Sequence, residues 1–293
     1  MDWKYTGRKI AIFTDLHGLF EPLEAVLNDI SNRGITEVYS LGDNIGVGPS
    51  PSDVIDMFEF CNVKSVAGNA EEYCNLGVSP YICYFDRDKL LNHEWTRYKL
   101  GDYRLDYIRN LPHSFDLELG GKRIGLCHFA NDVRTDYGFN TSEKYVYNFN
   151  LGCGYKQFLY TNSPSHFDNI KYNIDRFGVE SPNVKGFVSA RDYPIFNGKI
   201  VTSYDAIVQG HVHRNLYENG EGVDFYTIRA VAMHFDNDPI DLAFYIILHE
   251  KSNNMGFDME RVYVPFDRAA MENTILKSDE PTGKIKKLVY MER

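Results

Sequence analysis

Residues 8–18 read Arg-Lys-Ile-Ala-Ile-Phe-Thr-Asp-Leu-His-Gly, an apolar β-type run that passes directly into Asp15-x-His17-Gly18. Downstream, Leu19, Phe20, Leu23, Val26, Leu27 and Ile30 recur at helical spacing until Gly34 stops them. The unit then repeats. Val38 to Leu41 precede Gly42-Asp43-Asn44, a proline-started amphipathic segment covers Ser52 to Phe60, and Val63 to Ala67 precede Gly68-Asn69. Strand, helix and strand in alternation predict an α/β sheet whose polar motifs gather at the strand ends.

The rest of the chain extends that pattern. A helical stretch from about His93 to Leu111 ends at Pro112, and Ser114 to Phe129 reads as a hairpin turning on Gly120-Gly121, its second strand ending at His128. A further run, Asp205 to Gln209, leads into Gly210-His211-x-His213. Asp224 to Val231, Asp241 to His249 and Phe257 to Val264 read as an antiparallel meander before a short helix from Asp267. Between them, residues 129–204 change character to Tyr, Asn, Gly and Ser, with a helical pattern at Ser165 to Phe177. The expectation is a single domain over residues 1–293 with 129–204 as an insertion or lid.

Composition narrows the function classes. With 31 basic against 41 acidic residues, the net charge is −10, and no block of Lys or Arg tracks a phosphate backbone. Generic nucleic-acid binding and membrane association are not expected. Five cysteines without CxxC spacing and an N-terminus without an apolar leader suggest reduced thiols and a cytoplasmic protein.

Five motifs each follow an apolar run: Asp15-x-His17, Asp43-Asn44, Asn69, His128 and His211-x-His213. Open α/β sheets bind ligands at that edge. Asp-x-His and His-x-His each project two side chains from one tight turn, since alternate residues of an extended segment face the same way, so each pair can grip one site. Any one of these side chains alone is more often a cap or a surface group, but seven in five successive motifs form a ligand set. Mixed oxygen and imidazole donors suit Mn, Fe, Zn or similar ions better than Ca or Mg.

In this order, the Asp15-Leu16-His17-Gly18, Leu41-Gly42-Asp43-Asn44, Gly68-Asn69, Cys127-His128 and Gly210-His211-Val212-His213 motifs resemble those of the calcineurin-like metallophosphoesterases. The resemblance covers nearly the whole chain. It is nearest to the bacterial and archaeal branch of small phosphodiesterases and diadenosine tetraphosphate hydrolases, in which Leu-Pro and a hairpin lead into the fourth motif. The resemblance implies a four-layer α-β-β-α sandwich of two mixed β-sheets flanked by helices. It also places Asp15, His17 and His213 on one metal, Asn69, His128 and His211 on a second, and Asp43 between them. Two divalent ions, Mn or Fe first and Zn or Ni also compatible, would hold a hydroxide between them and cleave a P–O bond in line. The expected substrate is a small phosphorylated or nucleotide-type compound, with Asp43, Asn69 and His128 carrying the chemistry.

Two features depart from the family pattern. Ala70 follows Asn69 where many members have a histidine that contacts the phosphate and protonates the leaving group. Loss of such an acid costs about 10²–10⁴-fold with poor leaving groups, so phosphoanhydrides, aryl esters and diesters fit better than alkyl monoesters. On this reading a histidine restored at position 70 should raise monoester turnover, and His234 is the candidate substitute. The second departure is the long 129–204 insertion, in which Arg134 and Arg191 are candidate phosphate contacts. His93, His113, His166 and His249 read as structural or surface residues. A metal-binding scaffold of the same fold and a protein phosphatase remain open alternatives. The second lacks the usual Asp-Arg-Gly signature, since Ile45-Gly46-Val47 follows Asp43-Asn44.

Overall fold

In the computed structural model, the residues described are 4–76, 87–128, 204–211, 213–220, 223–233 and 241–283. Strand β1 (Tyr5–Phe13) is central to the first sheet. It pairs in parallel with β2 (Glu37–Ser40), which pairs in parallel with β3 (Lys64–Ser65). On its other side it runs antiparallel to β9 (Leu242–Lys251), followed by β10 (Phe257–Pro265). The second sheet has the order β4, β5, β6, β8, β7, where β4 is Ser114–Leu119, β5 Lys122–Cys127, β6 Ala206–Gln209, β7 Leu216–Gly220 and β8 Val223–Thr227. Both sheets are mixed, because each joins parallel crossovers to an antiparallel hairpin.

Strand parity distributes the core. Ile10 and Ile12 of β1, with Phe244, Ile246 and Leu248 of β9, point between the sheets onto Leu117, Ile124, Leu126 and Val208. Their neighbours Ala11, Phe13, Ala243, Tyr245 and Ile247 point the other way, onto Leu23, Val26 and Ile30 of α1 (Phe20–Asn32), Val54 and Phe58 of α2 (Pro51–Phe60) and Met271 and Ile275 of α5 (Arg268–Lys277). Alternate residues of a strand face opposite sides, so strands buried on both faces must read as continuous apolar runs. That is why residues 10–13 are so legible. Among the described residues, helices, first sheet and second sheet make three layers; the helix expected at 165–177 within the insertion lies outside them.

The Gly120-Gly121 hairpin forms as expected. Both glycines have positive φ (56° and 73°), the signature of a tight two-residue turn whose twist matches its strands. Gly256 donates its N–H to Gly120 O at 2.8 Å, and a Cβ at Gly120 would stand 2.1 Å from Gly256 O, so this tip ties one sheet to the other.

The C-terminal strands correct the expected meander. β8 sits parallel beside β6 in the second sheet, in a hairpin with β7, whereas β9 and β10 form a hairpin in the first. Strand periodicity reports a buried face and is silent on which sheet that face covers. The helix predicted at 93–111 begins earlier, as α4 (Arg87–Arg109), and is interrupted at Gly101 (φ 63°, ψ 175°). Helix α3 (Asn69–Leu76) was not anticipated, and it starts on a metal-ligand candidate. The helix expected from Asp267 is present, and the Asp267 carboxylate caps it by accepting Ala270 N–H at 2.9 Å. Cys74 and Cys127 are buried and Cys61 is exposed; Cys83 and Cys153 lie outside the described residues. No described helix is long and apolar enough to cross a membrane.

Candidate metal centre

The ligand candidates leave their strands through strained turns. Asp15, His17, Asp43, His211 and His213 all have left-handed backbone, with φ of 54°, 50°, 51°, 68° and 58°. Residues with a Cβ avoid that region at a cost of roughly 1–3 kcal/mol each, and they persist there only when the surroundings hold them. Here the first two loops zip together. Asp15 N–H donates to Gly42 O (3.0 Å), His17 N–H to Asp43 O (2.9 Å) and Gly18 N–H to Asn44 O (2.8 Å). The tight turns expected at Asp-x-His and His-x-His are present, but their residues are left-handed and not alternating along an extended segment. Paired side chains converge because the chain curls at each strand end.

Two groups of ligand atoms result, each with all its atoms within 4.8 Å of one another: Asp15, His17 and His213, and Asp43, His128 and His211. In the first, His17 Nε2 and His213 Nε2 approach to 3.1 Å, and His213 Nε2 lies 3.1 Å from Asp15 Oδ1. Asp15 Oδ2 is engaged by Thr14 Oγ1 (2.8 Å) and His211 N–H (2.9 Å), while Oδ1 is buried without a hydrogen bond. A buried carboxylate facing two converging imidazoles is a donor set that suits a cation.

In the second group, His128 Nδ1 donates to Leu41 O at 2.7 Å, which turns its Nε2 toward Asn69 Oδ1 (3.2 Å) and Asp43 Oδ1 (3.5 Å). Such a bond at the far nitrogen fixes the tautomer that presents a lone pair. The Asp43 carboxylate spans both groups, with Oδ2 3.9 Å from His17 Nε2 while Oδ1 faces His128. All seven predicted ligands thus come together.

Burial and charge pull on the protonation of the site in opposite directions. Desolvation pulls His17 down to about 4 and His211 to about 3, so both are neutral at pH 7. Burial pushes Asp15 up, but His213 and then His128 outweigh it and hold the carboxyl at about 2. His128 is lowered by burial yet raised further by the Asp43 charge, to about 10, so without a cation the pair shares a proton. A divalent ion held by these residues would compete for that position, and its binding would release the proton.

Glu71 escaped the sequence reading. It is fully buried, and its two oxygens accept four N–H groups: Oε2 from Asp43 N (3.0 Å) and Gly68 N (2.8 Å), Oε1 from Asn44 N (2.8 Å) and Asn44 Nδ2 (3.2 Å). Burial first, and the Asp43 charge second, push its carboxyl up to about 7, against donors that require the ionised form. The available signal was the glutamate three residues after Gly68, the spacing of an N3 residue reaching back to a helix N-cap.

Gly42 and Gly68 stand where no side chain fits. A Cβ on Gly42 would lie 2.6 Å from Gly68 N, and one on Gly68 would lie 2.4 Å from Asp43 Oδ1. Gly68→Ala is therefore expected to displace the Asp43 carboxylate and cost about 1–3 kcal/mol of stability. Metal titration by calorimetry should show the second equivalent lost first.

Other expectations fare differently. Ala70 is 2% exposed within an apolar cluster of Ile45, Ile55, Cys74, Leu100, Leu105 and Ile108. A larger side chain there requires these neighbours to shift. His234, Arg134, Arg191 and His166 lie outside the described residues. His249 Nε2 contacts Glu260 Oε2 at 2.7 Å and His113 Nδ1 lies 3.9 Å from Glu72 Oε1, both away from the ligands. His93, read as structural or surface, is 5% exposed and packs edge to face on Tyr73, and the charges of Asp43 and His17 act on its ring.

Comparison with known proteins agrees with this geometry. Residues 9–152 match the calcineurin-like phosphoesterase superfamily domain. An uncharacterized protein from Methanocaldococcus jannaschii is 34% identical over 119 residues, 41% of this chain and 48% of the relative, so the chain spans about half that relative's length. A hypothetical protein from Pyrococcus horikoshii has a similar fold, with a TM-score of 0.61 at 15% identity over 96% of this chain and 97% of its own. A metallophosphoesterase from Sphaerobacter thermophilus gives 0.56 at 19%, over 96% and 98%.

Proposed function

From the match of residues 9–152 to the calcineurin-like phosphoesterase superfamily domain, we propose that the chain is a two-metal hydrolase of P–O bonds in a small phosphorylated or nucleotide-type substrate. The carrying observation is the Asp43 carboxylate, one oxygen 3.5 Å from His128 Nε2 and the other 3.9 Å from His17 Nε2, between two groups of ligand atoms. Asp15, His17 and His213 would hold one ion, Asn69, His128 and His211 the other, and Asp43 both. Bound there, two divalent ions lower the pKa of water and neutralise charge on the phosphate.

The chain's own residues supply position and protonation. The Leu41 carbonyl aims His128, Asp15 Oδ2 is fixed by Thr14 and His211 N–H, and Glu71 secures the Asp43 loop to the start of α3. No Ser or Cys nucleophile is required. Ala70 offers no proton at its position, which favours diesters, aryl esters and anhydrides over alkyl monoesters. Mn or Fe suits this mixed donor set best, with Zn or Ni compatible. A dinucleoside polyphosphate is the substrate that best combines an anhydride bond with the bacterial and archaeal resemblance.

The test is reconstitution. Metal-stripped protein reloaded with Mn should contain two ions per chain and hydrolyse bis(p-nitrophenyl) phosphate and dinucleoside polyphosphates. Two ions per chain with no turnover of diesters, aryl monoesters, polyphosphates or phosphopeptides would instead identify a metal-binding scaffold.

A further inference from the structure

Ala70 carries no donor where the family resemblance places one, and an imidazole from α4 lies against the loop that follows Asp43. The loop residue is Gly46, with φ 77°. A Cβ built on it would stand 3.4 Å from Ala70 Cβ, 3.5 Å from His93 Cε1 and 3.7 Å from His93 Nδ1. The Ala70 methyl and the His93 ring therefore flank one point of the loop that follows Asp43.

His93 is held there firmly. Its neighbour Asn92 accepts Val47 N–H through Oδ1 (2.9 Å) and donates through Nδ2 to Val47 O (3.4 Å) and Glu280 Oε1 (3.2 Å), which docks α4 on the Gly46 to Gly48 loop. Gly48 N–H in turn donates to His17 O at 2.7 Å. Tyr73 of α3 packs against the His93 ring, edge to face, with centroids 4.9 Å apart. Helices α3 and α4 and the loop thus orient one imidazole beside the metal ligands.

We propose that His93 is a catalytic hydrogen-bond donor to the substrate's phosphate and departing oxygen, delivered from α4 in place of the side chain that Ala70 lacks. The inference rests on the hydrolase reading above. It needs no titration, since a neutral imidazole keeps one N–H. Burial first and Lys89 second hold His93 down to about 3, against the opposing pull of Asp43, so the ring is neutral across the working range. A donor aimed at developing charge in a water-poor site is worth roughly 10²–10³-fold in rate.

The experiment uses the full chain loaded with two ions. His93→Phe keeps a ring against Tyr73 and removes the N–H, while His93→Gln returns an amide donor. The phenylalanine variant is expected to lose about 10²–10³-fold in kcat with alkyl leaving groups and far less with nitrophenyl ones, with metal content unchanged and partial recovery in the glutamine variant. Equal losses for both leaving groups, or none, would overturn the inference. A second measurement needs no turnover and no folded phenylalanine variant. In the zinc-loaded protein, inorganic phosphate should shift the His93 imidazole resonance, assigned by its disappearance in His93→Gln, and an unmoved resonance overturns the proposal. If the loaded protein hydrolyses nothing, the hydrolase reading falls, and this phosphate titration alone decides the role of His93.

Discussion

Asp43→Asn is expected to bring metal-dependent turnover to background while the protein stays folded. The substitution preserves shape, and an amide oxygen can still accept Ala70 N–H, which Asp43 Oδ1 does at 2.8 Å. What is lost is a negative charge facing both groups of ligand atoms. Changing residues that merely orient metal ligands costs about 10–100-fold in affinity, and removing the charge shared by two ions should exceed that. Elemental analysis after dialysis at micromolar Mn should find fewer than two ions per chain, with circular dichroism unchanged. Two ions retained with full turnover would remove Asp43 from the role assigned to it.

Glu71→Gln should unfold at lower denaturant even with no metal present. Both carboxylate oxygens accept N–H groups, and an amide turns one acceptor into a donor facing two of them. Each buried N–H left unsatisfied costs about 1–3 kcal/mol, so a loss of about 3 kcal/mol is expected in urea, read as a lower midpoint at unchanged slope. Because the orphaned groups belong to Asp43, Asn44 and Gly68, metal affinity should fall with stability, although Glu71 is not among the ligands. A midpoint equal to that of the unsubstituted protein would show that burial of this carboxyl costs as much as its hydrogen bonds return.

The two variants separate what was legible in the sequence from what was not. Asp43 was found because it follows a strand pattern and belongs to a recurring order of metal-ligand side chains. Glu71 sits in an unremarkable Asn-Ala-Glu-Glu run, and its importance lies in four N–H groups contributed by two segments. His93 was set aside for the same reason. A histidine on a helix has no ligand at close spacing in sequence, and its nearness to Ala70 and Gly46 exists only once α4 docks on the loop. The meander failed because β8 and β9 each have the alternation of a half-buried or buried strand but belong to different sheets.

By itself, the sequence determined the two-sided burial of β1, the hairpin at Gly120-Gly121 and the identity of all seven ligand candidates. These depend on local physics: side-chain parity along a strand, glycines free to take positive φ, and donor types that few other roles require together. Only the tertiary structure decided which strands share a sheet, that the ligand turns are left-handed rather than extended, and that Glu71 and His93 flank the site. Those outcomes are set by hydrogen bonds and packing between segments far apart in the chain, such as the three main-chain bonds joining residues 15–18 to 42–44. No spacing within either segment encodes them.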